Sequence, residues 1–160
     1  MMGSELNHNF KRIKTFYKFN CVLIPMIQIN SDGGARGNPG PAAIGLIIRK
    51  KDKILKKYSK KIGRTTNNVA EYKALIKALE IASKFKDKEV VCFLDSELVV
   101  RQLDGKYKVK NKKLIPLFSK VKKAEKKFEK VAYRHVSRWN KYQKIADKLV
   151  NKELDKRKKD

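Results

Sequence analysis

Asp32, Glu71, Asp95 and Asp147 are the residues of this chain best suited to chemistry, because their surroundings do not explain them. The sequence carries 41 Lys and Arg against 16 Asp and Glu, a formal charge of +25 with His neutral. Asp32 ends an extended segment in which Ile27 and Ile29 share one face, and Asp95 closes the apolar run Val90 to Leu94. Neither Ile27 to Asp32 nor Val90 to Asp95 contains a Lys or Arg that would make an ion pair. Carboxylates gathered without a basic partner repel one another until a proton or a cation intervenes. Oxygen-only ligation without His or Cys favours Mg²⁺ or Mn²⁺. Two such ions about 3.5–4 Å apart can clamp the attacking water and the leaving oxygen of a phosphodiester.

Each acid also has a plainer explanation. Asp32 before Gly33-Gly34 suits a turn, and Glu71 suits the first turn of a helix, where negative charge is stabilising. Asp95-Ser96 suits a helix cap, and Asp147 has Lys144 and Lys148 near it as ion-pair partners. Arg36 reads equally as a phosphate contact or as surface charge. His135, at the end of the last strand, suits a structural role or proton transfer. Trp139 is expected to be partly buried, with base stacking as the second reading. The glycine-rich stretch Gly33 to Gly40 lets backbone approach a charged ligand.

Positioning the acids requires a particular order of elements. Ala42 to Ile48 and Ile54 to Ile62 read as strands whose links are too short for parallel crossovers, so they form an antiparallel meander with the Asp32 strand. Thr65 to Asn68 is a capping segment, supplied by Thr66, Asn67 or Asn68. Ala70 to Phe85 follows as a helix with Ala74, Leu75, Ala78, Leu79 and Ala82 on one stripe and Glu71 on the same side. After this crossover helix, Glu89 to Leu94 pairs parallel to the first strand. Asp32 and Asp95 then emerge together at strand carboxyl ends, where ligand crevices of open α/β sheets lie. Ser96 to Leu103 and Leu114 to Phe128 are helices, the second with Pro116 in its first turn. Lys130 to Val136 is the last strand, and a helix from about Tyr142 to Lys156 carries Asp147. The fold class is α/β: a five-stranded mixed sheet, three antiparallel strands and then two parallel, flanked by helices. One domain spans residues 25–156, between a basic, aromatic-dotted arm at 1–24 and a basic tail at 157–160.

At 160 residues there is room for one core without disulfides. Cys21 and Cys92 have no CxxC or Cys-His spacing, which argues against structural zinc and for a reduced, cytoplasmic chain. No apolar run reaches the roughly 18 residues of a transmembrane helix, and no secretory signal is convincing. The charge attracts polyanions, nucleic acid first among them.

Five blocks carry a resemblance: Asp32 to Ala43, Thr65 to Leu75, Asp95 to Val100, His135 to Arg138, and Ala146 to Leu149. In this order and spacing they resemble the type 1 ribonuclease H family, in particular its short archaeal-like and bacterial-like branch. The resemblance implies a ribonuclease H-like fold. It also implies an endonuclease that cuts the RNA strand of RNA–DNA hybrids with Mg²⁺ or Mn²⁺, leaving 5′-phosphate and 3′-hydroxyl ends. By resemblance, Asp32, Glu71, Asp95 and Asp147 are the metal-binding acids. Gly33, Asn38 and Asn67 match positions that meet the RNA, partly through ribose 2′-hydroxyls, and Thr66 and Asn68 match contacts to the DNA. Arg138 matches an arginine of the short branch, near where other members carry a mobile catalytic His, and His135 is the nearest histidine here.

The chain departs from that pattern in three places. Gln143 stands where relatives often have Asn, the Trp139 to Lys144 loop reads as longer than usual, and no basic helical protrusion is evident, although Lys106 to Lys113 supplies some of its charge. The partner expected is an RNA–DNA hybrid, with double-stranded RNA as a second candidate, no membrane, and a monomeric protein. A noncatalytic hybrid or double-stranded RNA binding module, and a related DNA nuclease, stay open as alternatives.

Overall fold

Ile27 and Ile29, both fully buried, anchor the central strand of a five-stranded sheet. In the computed structural model the described residues are 16–19 and 22–156. Residues 1–15, Asn20, Cys21 and the tail at 157–160 lie outside them, and with them most of the expected arm.

The arm's described part is a hairpin of β1 (Phe16–Phe19) and β2 (Val22–Pro25), antiparallel with Phe16 opposite Pro25, in a sheet of its own. The main sheet holds β3 (Ile27–Ala35), β4 (Gly40–Lys50), β5 (Lys53–Thr65), β6 (Glu89–Leu94) and β7 (Lys130–His135), in the order β5-β4-β3-β6-β7. Pairing is antiparallel across β3, β4 and β5 and parallel from β3 to β6 and from β6 to β7. The expected meander and crossover are therefore both present. Among the described residues four helices accompany the sheet: α1 (Asn67–Ala82), α2 (Glu97–Leu103), α3 (Ile115–Glu125) and α4 (Lys141–Asp155).

Strand alternation divides the helices between two faces. Ile27, Ile29, Leu46, Ile48, Val90, Cys92 and Leu94 share one apolar cluster with Leu75, Ala78 and Leu79 of α1 and Leu117 and Val121 of α3. On the opposite face α4 packs against β3, β4 and β5, and the lining of β3 there is polar. Arg49, 7% exposed, donates to Asn30 Oδ1 at 3.0 Å and Gln28 Oε1 at 2.8 Å, with its guanidinium 3.8 Å from the Tyr142 ring centroid.

Element ends differ from the periodicity for local reasons. The first helix begins at Asn67 rather than Ala70, because Thr66 caps it, Oγ1 accepting from Val69 N at 3.3 Å. It gives way at Ser83–Phe85 to a 3₁₀ turn closed by Lys86 in left-handed conformation (φ 61°). The third helix stops at Glu125, not Phe128: the N–H groups of Lys126, Lys127 and Phe128 bond three residues back, a turn that still buries Phe128. The last helix begins at Lys141 because Asn140 Oδ1 accepts from Tyr142 N and Gln143 N, so Lys141 to Lys144 of the expected long loop are helix.

Candidate metal centre and nucleic-acid groove

Because β3 and β6 run parallel with Asn30 opposite Phe93, Asp32 and Asp95 stand at the same distance beyond the paired ends. Glu71 joins them from the second turn of α1, not the first, because the helix already starts at Asn67 and its first turn carries no acid; Gly33 permits the approach. A Cβ there would lie 2.2 Å from the carbonyl carbon and oxygen of Ala70 and 2.6 Å from Glu71 N. The Gly33 backbone favours the charged Glu71 carboxylate, and the neighbouring Asp32 opposes it. One carboxylate oxygen from each of Asp32, Glu71 and Asp95 lies within 4.8 Å of the others.

Asp147 comes from α4, on the other face. The helix sits close because β4 has Gly45 beneath it: a Cβ there would be 2.5 Å from Ala146 O. Gln143, fully buried, donates from Nε2 to Ser31 O at 2.8 Å and accepts from Asn30 Nδ2 at 3.2 Å. One turn further along, Asp147 lies near enough to Asp32 to raise its carboxyl and accepts from Asn151 Nδ2 at 3.4 Å. It is exposed and stands outside the tight group of three. Of the four acids expected to converge, three share a centre and the fourth forms its rim.

Burial first, and then the neighbouring charges of Asp95 and Asp147, push the Asp32 carboxyl up to about 8. Glu71 is raised as well, by burial and then by Asp32. Burial also raises Asp95, opposed by its own backbone hydrogen bond and by the positive charge of His135 and Arg138. Glu71 Oε2 is buried with no hydrogen-bond partner. Without a cation such a centre holds protons; an orphaned oxygen within an all-carboxylate donor set fits a hard divalent ion.

A groove of ≈ 450 Å³ passes Asp32, Asp95 and Asp147 and is bounded by Arg36, Asn67 and Arg138. Asn38 and Asn67 frame its glycine-loop side: Asn38 Oδ1 accepts from Asn67 N at 3.0 Å, and Asn67 Oδ1 accepts from Ala35 N at 2.8 Å. Both acceptors are used internally, and the amide N–H groups have no partner among the described residues. Thr66 is the cap rather than a free hydroxyl, and Asn68 is half-buried behind it. Arg36 pairs with Asp155 at 2.5 Å, with both side chains largely exposed. His135 is exposed, its Nε2 3.2 Å from Asp95 O, beside the acids rather than among them.

Two readings change. Trp139 is 69% exposed, not partly buried. Gln143, which the sequence marks only as a departure from a pattern, is the buried strut between α4 and β3. Gln28, Asn30 and Asp32 alternating along one strand is the signal that points to a polar face able to receive it.

Residues 30–153 match the family described as Reverse transcriptase-like. The bifunctional protein Rv2228c of Mycobacterium tuberculosis is 40% identical over 132 residues, 81% of this chain and 35% of that protein. Ribonuclease HI of Halobacterium salinarum is 38% identical over 125 residues, 78% of this chain and 62% of that protein. The chain thus spans well under two thirds of the first and slightly under two thirds of the second. The structure of LC11-RNase H1 in complex with an RNA/DNA hybrid, a protein isolated from compost by a metagenomic approach, superposes with a TM-score of 0.76 at 46% identity, covering 81% of this chain and 96% of that one. Matched by that family model over most of its length, and 46% identical to a ribonuclease H1 of which it covers 96%, this chain belongs to the type 1 ribonuclease H family.

Proposed function

We propose that the chain is an endonuclease that hydrolyses the RNA strand of RNA–DNA hybrids with Mg²⁺ or Mn²⁺, leaving 5′-phosphate and 3′-hydroxyl ends. The observation that carries this reading is the meeting of Asp32, Glu71 and Asp95 oxygens within 4.8 Å, with Glu71 Oε2 unpartnered. The hybrid named for LC11-RNase H1 supports the choice of substrate.

In this reading Asp32, Glu71 and Asp95 hold the metal, and Asp147 completes the set from the rim. When bound, the divalent ions polarise the scissile phosphate and lower the pKa of the attacking water. The chain's own residues do the rest. Gly33, Asn38 and Asn67 line the side that meets the RNA, where amide N–H groups can take ribose 2′-hydroxyls. Thr66 caps the helix start, with Asn68 beside it, on the side that faces the DNA. Arg36 and Arg138 receive phosphates; the exposed Arg36–Asp155 pair is weak enough to exchange for one. His135 tethers the main chain of Asp95 through Nε2 and is the group placed to move a proton beside it.

The surrounding surface suits the same reading. Net charge draws in the duplex. Lys53, Lys56, Lys57, Lys60 and Lys61 line the edge strand β5 and discourage pairing with another copy, in keeping with a monomer. Cys92 is a buried free thiol, in keeping with the reducing cytoplasm. Residues 25–156 form the catalytic domain, with the arm and tail as additions.

The test is cleavage of a labelled RNA strand, alone, annealed to RNA, or annealed to DNA. Cutting is expected only in the hybrid and only with a divalent ion, and Asp95→Asn is expected to abolish it. Equal cutting of single-stranded RNA, or full activity in that variant, overturns the reading.

A further inference from the structure

Trp139 is the protein's only tryptophan and, at 69% exposure, the most exposed large hydrophobic side chain among the described residues. It does not hang from a free tail. The turn that carries it is fixed by Trp139 N donating to Ser137 Oγ at 3.1 Å and Asn140 N donating to Ser137 O at 2.9 Å. The ring borders a shallow cavity of ≈ 380 Å³ lined by Lys141, Lys144, Ile145 and Lys148. The Arg138 guanidinium lies 5.0 Å from the ring centroid and the Lys144 ammonium 6.0 Å. None of these four cations forms an ion pair among the described residues.

The neighbourhood has a direction. Arg138 borders both the Trp139 ring and the carboxylate groove, and Lys148 follows Asp147 on α4. An aromatic face amid unpaired cations is the combination that binds single-stranded nucleic acid: every base has a face to stack, and the cations follow the phosphates. An acidic polypeptide would use the cations but offer no base to stack on the ring.

We propose that Trp139, with Arg138, Lys141, Lys144 and Lys148, is a stacking platform for an unpaired nucleotide, taking a single-stranded extension of the duplex held in the carboxylate groove. The duplex part rests on the nuclease reading; the platform is tested without cleavage. Because Trp139 is the sole tryptophan, its emission reports on this site alone.

The experiment titrates the full-length, metal-free protein with an oligothymidine octamer, an oligouridine octamer, an abasic octamer of equal phosphate number, and polyglutamate. Base-bearing octamers are expected to quench the emission, the abasic octamer and polyglutamate to leave it nearly unchanged, and the tighter of the two bases-bearing strands identifies which strand extends onto the platform. By anisotropy of a labelled octamer, Trp139→Ala is expected to weaken binding about 10-fold and Trp139→Phe to retain most of it, both with wild-type circular dichroism. A hybrid with a single-stranded extension is expected to bind more tightly than a blunt one, and this gain to vanish in Trp139→Ala. Equal quenching by the abasic octamer or polyglutamate, or an undiminished gain in Trp139→Ala, overturns the platform. Base-dependent quenching in a protein that cuts no hybrid overturns the nuclease reading and leaves the platform standing.

Discussion

Gln143 Nε2 donates to the carbonyl of Ser31 at 2.8 Å, one residue before Asp32 and one helical turn before Asp147. This contact ties the strand that carries Asp32 to the helix that carries Asp147. Gln143→Ala would leave the buried Ser31 carbonyl and Asn30 amide unpaired and open a cavity, a cost of about 2–4 kcal/mol measurable by urea unfolding. Hybrid cleavage should fall further than the lost fraction of folded protein explains, because Asp147 loses its bearing on Asp32.

Gly33→Ala tests the contact between β3 and α1. Its methyl cannot fit 2.2 Å from the Ala70 carbonyl, so the helix start must retreat and carry Glu71 away from Asp32. Overpacking of this kind costs about 1–3 kcal/mol. Calorimetric titration with Mn²⁺ should show weakened binding in protein that remains folded.

The crowding of carboxyls predicts a pH dependence of opposite sign to that of an ordinary ion-paired acid. Asp32 is raised to about 8, so its protonated form favours the folded state. That contribution is fully present below the unfolded value near 3.8 and is lost as pH rises through about 8. In the absence of divalent ions, Asp32→Asn should therefore melt higher than wild type at pH 9, with the gap shrinking as pH falls toward 4. Each kcal/mol corresponds to about 2–4 °C in a domain of this size. Added Mg²⁺ should raise the wild-type Tm more at pH 9 than at pH 6.

The unequal placement of the acids predicts unequal effects on metal affinity. Asp147→Asn changes an exposed residue outside the group that meets within 4.8 Å, and Asp95→Asn changes a member of it. Calorimetry should show the larger loss of Mn²⁺ binding for Asp95→Asn.

Much of this was legible from residue types. Ile27 and Ile29 before Asp32, and Val90 to Leu94 before Asp95, identify two strands that end on acids, and the helix between them makes those strands parallel. The stripe from Ala74 to Ala82 shows which side of α1 faces the sheet and puts Glu71 there. Helix ends were less legible, since Asn140 and Thr66 act through a single hydrogen bond or two that periodicity does not register. Trp139 was misread because aromatic residues usually report burial, and a turn fixed by Ser137 can hold one in solvent. The tight grouping of three acids without Asp147 depends on how closely helices approach Gly33 and Gly45, a tertiary distance with no local signature.

The polar seam beneath α4 has a consequence for motion. Where α1 lies on a continuous oily layer, α4 is fastened by Gln143, by Arg49 stacked under Tyr142, and by Ser59 bonded to Glu153 at 2.9 Å. Water can replace such fastenings one at a time, whereas it cannot enter the Leu75–Leu79 side without melting the whole. Amide deuteration should accordingly run faster in Lys141–Asp155 than in Asn67–Ala82, so that the rim carboxylate breathes while the inner three hold their places.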